Sequence, residues 1–324
     1  MKSVICFGEA LIDFLQTDLM EQGQLSLPGF RQYPGGAPAN AAVAVAKLGG
    51  KALFAGQVGQ DPFGDFLRNA LELYGVDTRF LFQHPSAKTA LAFVLLDEHG
   101  ERSFTFHRHE SADVLFSAEQ VDAKWFEDQP LLHFCSNTLT TADIAKCTAY
   151  IVQQARNKQA IVSFDVNLRH NLWPNNLIDK ALVNGLVQQA DIVKFSQDEL
   201  AFLAGVDPEQ YLQDCLAANC KLVVITDGSK PIRFLTRTQQ GEITPPVVKA
   251  FDTTAGGDAF IGGLLFGLSQ QADIPQTLAD IPQLKSLLRF AAACGAHTVT
   301  QAGAFTALPD QGLASQLLSQ SLAS

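Results

Sequence analysis

The chain has 324 residues, 47% of them hydrophobic and 17% charged, which is enough apolar material for a large core and excludes wholesale disorder. Its 33 acidic and 23 basic side chains give a formal net charge of −10, which argues against general nucleic-acid binding but leaves local recognition of a small phosphorylated ligand open. No window holds about 18 uninterrupted apolar residues, so no membrane span is expected.

The N-terminus, Met1 to Gly8, enters a strand-like run that soon meets Glu9 and Asp13, unlike a signal peptide. Leu11–Tyr33 has strand-and-turn character. A glycine pair, Gly35-Gly36, then opens an alanine-rich helix reaching Leu48. Thr89–Leu96 and Arg102–His109 read as antiparallel strands around the turn Asp97-Glu98-His99-Gly100, with Phe104 and Phe106 alternating with polar residues.

Beyond about residue 115, strand and helix signals alternate. Leu131–Ser136, Ala160–Asp165, Ile192–Phe195 and Leu222–Thr226 read as buried strands; Thr141–Lys158, Asn175–Gln189 and Gln197–Ala204 read as helices. This rhythm predicts an α/β fold with a mostly parallel central sheet flanked by helices. The two interruptions predict a small β-sheet lid built from segments at about 11–33 and 88–112 of one domain spanning 1–324. An apolar face on that sheet would pack on the core or on a second copy across a two-fold axis. The six cysteines form no CxxC pair and sit in apolar runs, as reduced core residues of a cytoplasmic protein do.

Two motifs carry chemistry. In the first, Pro34-Gly35-Gly36-Ala37-Pro38-Ala39-Asn40, the glycines allow backbone to approach a ligand and Asn40 adds a polar group near a helix start. In the second, Asp252-Thr253-Thr254-Ala255-Gly256-Gly257-Asp258, small residues precede a long apolar helix. Amide groups at such a helix start form an anion site. Asp258 at the same end is either an ordinary N-cap or a base that takes a hydroxyl proton during phosphoryl transfer, with no need of a raised pKa. The chain has no GxxxxGK[ST], no GxGxxG after a strand, no GxSxG and no HExxH, so P-loop, dinucleotide-binding, serine-hydrolase and zincin chemistries find no support.

With both glycine motifs in place, the chain resembles the ribokinase-like (PfkB) carbohydrate kinases, and bacterial fructokinases within them. The resemblance covers nearly the whole length, from Cys6–Phe14 through Gly35–Asn40, Gly56–Gly64, Glu101–Asp113, Phe164–Arg169, Val193–Leu200 and Ile225–Gly228 to Asp252–Asp258 and Gly303-Ala304. It implies a ribokinase-like fold and transfer of the ATP γ-phosphoryl group to a sugar hydroxyl, with Asp258 as base and Ala255, Gly256 and Gly257 as the anion hole. By the same resemblance Asp13, Gly35, Gly36, Asn40, Arg108, Asp165 and Arg169 hold the sugar, and Lys194, Glu199, Thr226, Gly228 and Gly257 face the nucleotide. Glu199 would act near Mg²⁺; Asp252, Thr254 and Gly303 would surround a K⁺ ion.

Two departures stand out. Ser196 replaces the family's usual Asn, and Ala255-Gly256 replaces the usual Gly-Ala. A turn demanding a left-handed residue at 255 would be strained by about 1 kcal/mol. Other acceptors stay open within the fold: 2-keto-3-deoxygluconate, whose carboxylate calls for a cation such as Arg102, Arg108 or Arg169, and ribose or a nucleoside. A sugar-binding protein without catalysis is the alternative of a different class.

Overall fold

The computed structural model describes residues 1–96, 102–313 and 316; the turn expected at Asp97–Gly100 lies outside them. The first half of the chain runs β1 (Ser3–Phe7), β2 (Leu11–Gln22), β3 (Leu25–Gly35), α1 (Ala37–Lys47), β4 (Lys51–Gly59), α2 (Pro62–Leu73) and β5 (Asp77–His84). It continues through β6 (Leu91–Leu96), β7 (Arg102–His107), β8 (Leu131–Cys135), α3 (Ala142–Asn157) and β9 (Ile161–Asp165). Then follow α4 (Lys180–Val187), β10 (Ile192–Ser196), α5 (Gln197–Ala204), α6 (Pro208–Ala217) and β11 (Leu222–Thr226). The last elements are β12 (Ile232–Leu235), β13 (Gln240–Ile243), α7 (Gly256–Ser269), α8 (Ile274–Ala279) and α9 (Ile281–Thr298).

Nine strands form one sheet in the order β13-β12-β11-β10-β9-β8-β1-β4-β5, parallel except at β12 and β13. Both faces are covered. In β1, Val4 and Cys6 enter one core with α1 and α7, while Ile5 and Phe7 enter the other with α3 and α4. Burial on both sides is why these strands are nearly continuous apolar runs. The expected separate sheet has four strands, ordered β3-β2-β6-β7. Phe14 of this sheet stacks on Phe93 at 5.1 Å and meets Phe63 of α2 edge-on at 5.8 Å, so part of its apolar face lies against the main body.

The helix expected from Asn175 begins only at Lys180. Asn175 and Asn176 take positive φ, 55° and 58°, which halts a right-handed helix. Asp179 caps the new start, accepting from the Leu182 amide at 3.0 Å.

Helices α1 and α7, which follow the two glycine motifs, pack side by side. A Cβ at Gly262 would run into Ala44 Cβ and lie 3.2 Å from the Ala41 carbonyl oxygen. Their close approach therefore depends on a bare backbone at that crossing.

Candidate active site

Parallel strands bring their C-terminal ends to one edge of the sheet, where ligands bind in open α/β folds. The start of α7 lies at that edge. Ala255 is its N-cap residue, and no side chain caps the first turn. Those amides lack intrahelical partners by construction; the Gly256 amide reaches the Thr253 carbonyl only at a long 3.4 Å, which leaves the turn suited to an anion. Ala255 has φ −109° and ψ 13°, a conformation open to any L-residue. The turn does not need a left-handed residue there, and the strain considered for alanine is absent.

Asp258 does not act as a cap. It is the third residue of the helix, within the first turn, buried, and its Oδ2 accepts from Asn40 Nδ2 at 2.7 Å. Burial pushes its pKa up to about 7; the Asn40 hydrogen bond opposes the rise, Asp165 adds to it, and the charges of Arg169 and Lys194 oppose it. The sequence alone required no raised pKa of a base here; burial supplies one. Asp13 on β2 is likewise pushed up to about 7, first by burial and then by Asp258, Asp252 and Glu9. Its carboxylate occupies the space that a Gly35 side chain would fill, so the first glycine of the pair makes room for an acid. Gly36, at φ 104°, caps α1 against the Glu9 backbone.

Two cavities meet at this turn. One, of about 330 Å³, is lined by Glu9, Asp13, Gly36, Asn40, Asn137, Asn167, Arg169, Thr254 and Asp258, with Phe104 and Phe106 of the small sheet. The other, of about 420 Å³, is lined by Thr226, Gly228, Gly256, Gly257, Ala292, Ala296 and Val299. Thr253 belongs to both. The N-terminal turn of α7 is thus the partition, with its glycines on one side and its carboxylate on the other. A Cβ at Gly256 would lie 2.6 Å from Val299 Cγ1, so a side chain there would disturb the second cavity.

Several expected contacts take another form. Arg108 does not line the small polar cavity: it is buried against Asp113, with Nε 2.6 Å from Oδ2. Asp165 does not line it either, because both its oxygens accept from Lys194 Nζ, at 2.8 and 2.9 Å. Lys194 lines neither cavity. Its ammonium sits behind the turn, 3.6 Å from where a Gly257 Cβ would be. Burial works against that charge, yet Asp165 and Glu199 outweigh it and hold the Lys194 pKa above its usual value.

Glu199 is not a freely exposed helical acid. It forms a capping box with Ser196 at the start of α5 and accepts from the Leu168 amide at 2.8 Å. Ser196 therefore has a structural role, as the cap of α5, and Glu199 steadies the loop that carries Asn167 and Arg169. Asp252 accepts from the amides of Thr254 at 2.9 Å and Gly303 at 3.1 Å, so the three residues expected around a monovalent cation form one hydrogen-bonded knot.

Glu9 and Asn137 line the small polar cavity although the sequence did not single them out as site residues. Glu9 accepts from the Ala37 amide at 3.2 Å and from Asn137 Nδ2 at 2.9 Å. Burial raises its pKa, while the Arg108 charge and the Asn137 bond oppose that. The signal available for Glu9 was an acid ending the first apolar strand; Asn137 offered none beyond following a strand end.

The chain matches the family described as pfkB family carbohydrate kinase over residues 1–311. It is 41% identical to the fructokinase of Vibrio alginolyticus over 312 residues, covering 96% of this chain and 97% of that protein. The fructokinase of Xylella fastidiosa with bound ATP superposes with a TM-score of 0.92 at 42% identity, covering 98% of both chains. A double mutant of the Vibrio cholerae O395 fructokinase, in a fructose, ADP and potassium ion bound form, superposes at 0.87 with 37% identity and 98% coverage of both chains. Two cavities parted by a glycine-rich helix start that carries a buried aspartate, on a doubly covered parallel sheet, thus accompany full-length similarity: the chain belongs to the pfkB family of carbohydrate kinases.

Proposed function

We propose that this kinase transfers the γ-phosphoryl group of ATP to D-fructose, giving fructose 6-phosphate and ADP. The observation that carries the reading is Asp258 at the head of α7, facing a polar cavity while the glycines of the same turn face another. The polar cavity receives the sugar, and the second receives the nucleotide. Relatives at about this similarity are fructokinases, one with ATP bound and one with fructose, ADP and potassium.

A sugar hydroxyl lies against the Asp258 carboxylate, which Asn40 holds in place. The sugar oxygen forms its bond to phosphorus as the bond to the ADP bridging oxygen breaks, and the hydroxyl proton passes to Asp258. The electron pair of the broken bond leaves with ADP. Amides of residues 255–257 face the migrating phosphoryl oxygens, and Lys194 supplies positive charge from behind the turn.

Among the described residues no group of three or more His, Cys, Asp or Glu could hold a metal ion. A magnesium ion carried on nucleotide phosphates and waters suits such a site. Glu199, already accepting two backbone amides, would meet it through water. Carbonyls around Asp252, Thr254 and Gly303 would suit K⁺.

The small sheet acts as the lid, since Phe104 and Phe106 line the sugar cavity and closure excludes water as a competing acceptor. Leu19, Met20 and Leu25 of its hairpin, exposed at 62%, 61% and 62%, would be covered by a second copy across a two-fold axis. Six buried, unpaired cysteines suit the reducing cytoplasm; none of the described helices is long and apolar enough to cross a membrane.

A coupled assay of ADP release over free sugars, sugar acids and nucleosides, with Mg²⁺ and K⁺ present, tests the reading. Fructose is expected to give the highest kcat/KM. Preference for a sugar acid or nucleoside, or binding of sugar and ATP without turnover, would overturn it.

A further inference from the structure

Asn137 sits in the short turn Ser136–Leu139 that follows β8, 5% exposed, in the wall of the polar cavity. Its Nδ2 donates to Glu9 Oε1. A carboxylate oxygen that also takes the Ala37 amide accepts rather than donates, which fixes the amide orientation and turns Oδ1 away from Glu9. That Oδ1 is buried and has no hydrogen-bond partner. An unpaired buried acceptor costs free energy and calls for a reason. Asn40 Oδ1, in the wall of the same cavity, is in the same condition. The other unpartnered buried side-chain atoms among the described residues, the indole nitrogens of Trp125 and Trp173, belong to residues outside that cavity. Two acceptors without donors in one small cavity match a ligand rich in hydroxyl groups.

The turn is clamped from behind. Arg108 Nη2 donates to the Asn137 carbonyl at 2.8 Å, Nη1 to Thr140 Oγ1 at 3.3 Å and Nε to Asp113 Oδ2 at 2.6 Å. Ser111 Oγ holds the other Asp113 oxygen at 2.5 Å. Arg108 directly follows β7, so the small sheet is tied to the turn that carries Asn137.

We propose that Asn137 reads the acceptor sugar, its Oδ1 taking a hydrogen bond from one sugar hydroxyl, and that Arg108 is the positioning residue that holds Asn137 in place. This rests on the sugar-kinase reading and names a specificity residue within it. A sugar lacking the hydroxyl in question leaves Oδ1 unpaired and is discriminated against.

Steady-state kinetics on the full chain, with fructose and a set of singly deoxygenated fructoses, tests the assignment. Asn137→Leu is expected to raise the fructose KM by about tenfold, the worth of one net hydrogen bond, with the ATP KM changed by less than about twofold. One deoxy analogue should lose about tenfold in kcat/KM relative to fructose with the parent enzyme and nothing with Asn137→Leu. Arg108→Lys, which keeps the charge but not the fork of donors, should raise the fructose KM while retaining that discrimination. If Asn137→Leu does not melt cooperatively, Asn137→Ser carries the same comparison. An unchanged fructose KM together with undiminished discrimination in the Asn137 variants would overturn the assignment. Failure of the parent enzyme to phosphorylate any sugar in the set would instead defeat the sugar-kinase reading itself.

Discussion

Asn40 Nδ2 donates to Asp258 Oδ2 across 2.7 Å, joining residues 218 positions apart in the chain. Each lies within the opening turns of the helix that follows a glycine motif. The bond fixes the carboxylate orientation and favours its ionised form, the form a base requires.

Asp258→Asn is therefore expected to lower kcat by about 10²- to 10⁴-fold, the usual worth of a positioned general base. The sugar KM should change far less. Initial-rate kinetics over both substrates will separate the two parameters, and an unchanged kcat would remove Asp258 from the role of base.

The pH profile follows from the same carboxyl group. With its pKa pushed up to about 7 by burial, Asp258 loses its basic form as pH falls through that value. The kcat/KM for sugar should then decline on the acid side of about pH 7 and level off above it. Asp13 titrates in the same range, so the measured limb belongs to the pair. Asn40→Ala removes a bond that opposes the rise, so the limb should move to higher pH. A limb near the ordinary carboxylate range would contradict the geometry.

Asp13 gives a prediction for stability. Burial is the main cause of its raised pKa, with Asp258, Asp252 and Glu9 adding to it. As pH rises from about 4 to about 7, the unfolded chain releases this proton while the folded protein retains it, so the group's contribution to stability is lost across that window. Asp13→Asn removes the penalty. Scanning calorimetry should show Tm rising relative to the parent at pH 8 and little change at pH 4, alongside a weakened sugar KM. Equal shifts at both pH values would show that Asp13 carries no buried charge.

Ala255→Gly restores the family's usual residue, yet no gain is expected. At φ −109° and ψ 13°, alanine is unstrained, and glycine only adds freedom to the unfolded chain. Stability should fall by about 0.4–1 kcal/mol, read from urea denaturation, with kcat within about twofold. A large rise in kcat would reveal strain that these angles do not contain.

The mostly parallel sheet and both helix-start motifs could be read in the sequence because each rests on local chemistry. Apolar runs between helical periods mark buried parallel strands, and small residues before an apolar helix mark an anion site. What escaped depends on pairing across long separations. Nothing near Arg108 in the sequence tells that it meets Asp113 and the Asn137 turn rather than a ligand. Asp165 looked like a ligand-facing strand end until Lys194, on the neighbouring strand, took both its oxygens. Asn175 misled for a local reason, since asparagine tolerates the left-handed region that ends a helix.

One helical turn beyond Asn40 lies Ala44, and one turn beyond Asp258 lies Gly262; these two meet where α1 crosses α7. The crossing works as a fulcrum. A methyl group added at Gly262 would lever the helices apart and lengthen the Asn40–Asp258 bond at the far end, without touching any ligand. On the proposed reading, the alignment of base and hydroxyl depends on two chemically inert positions, and a side chain added at Gly262 would lower the rate while every reactive group stayed in the chain.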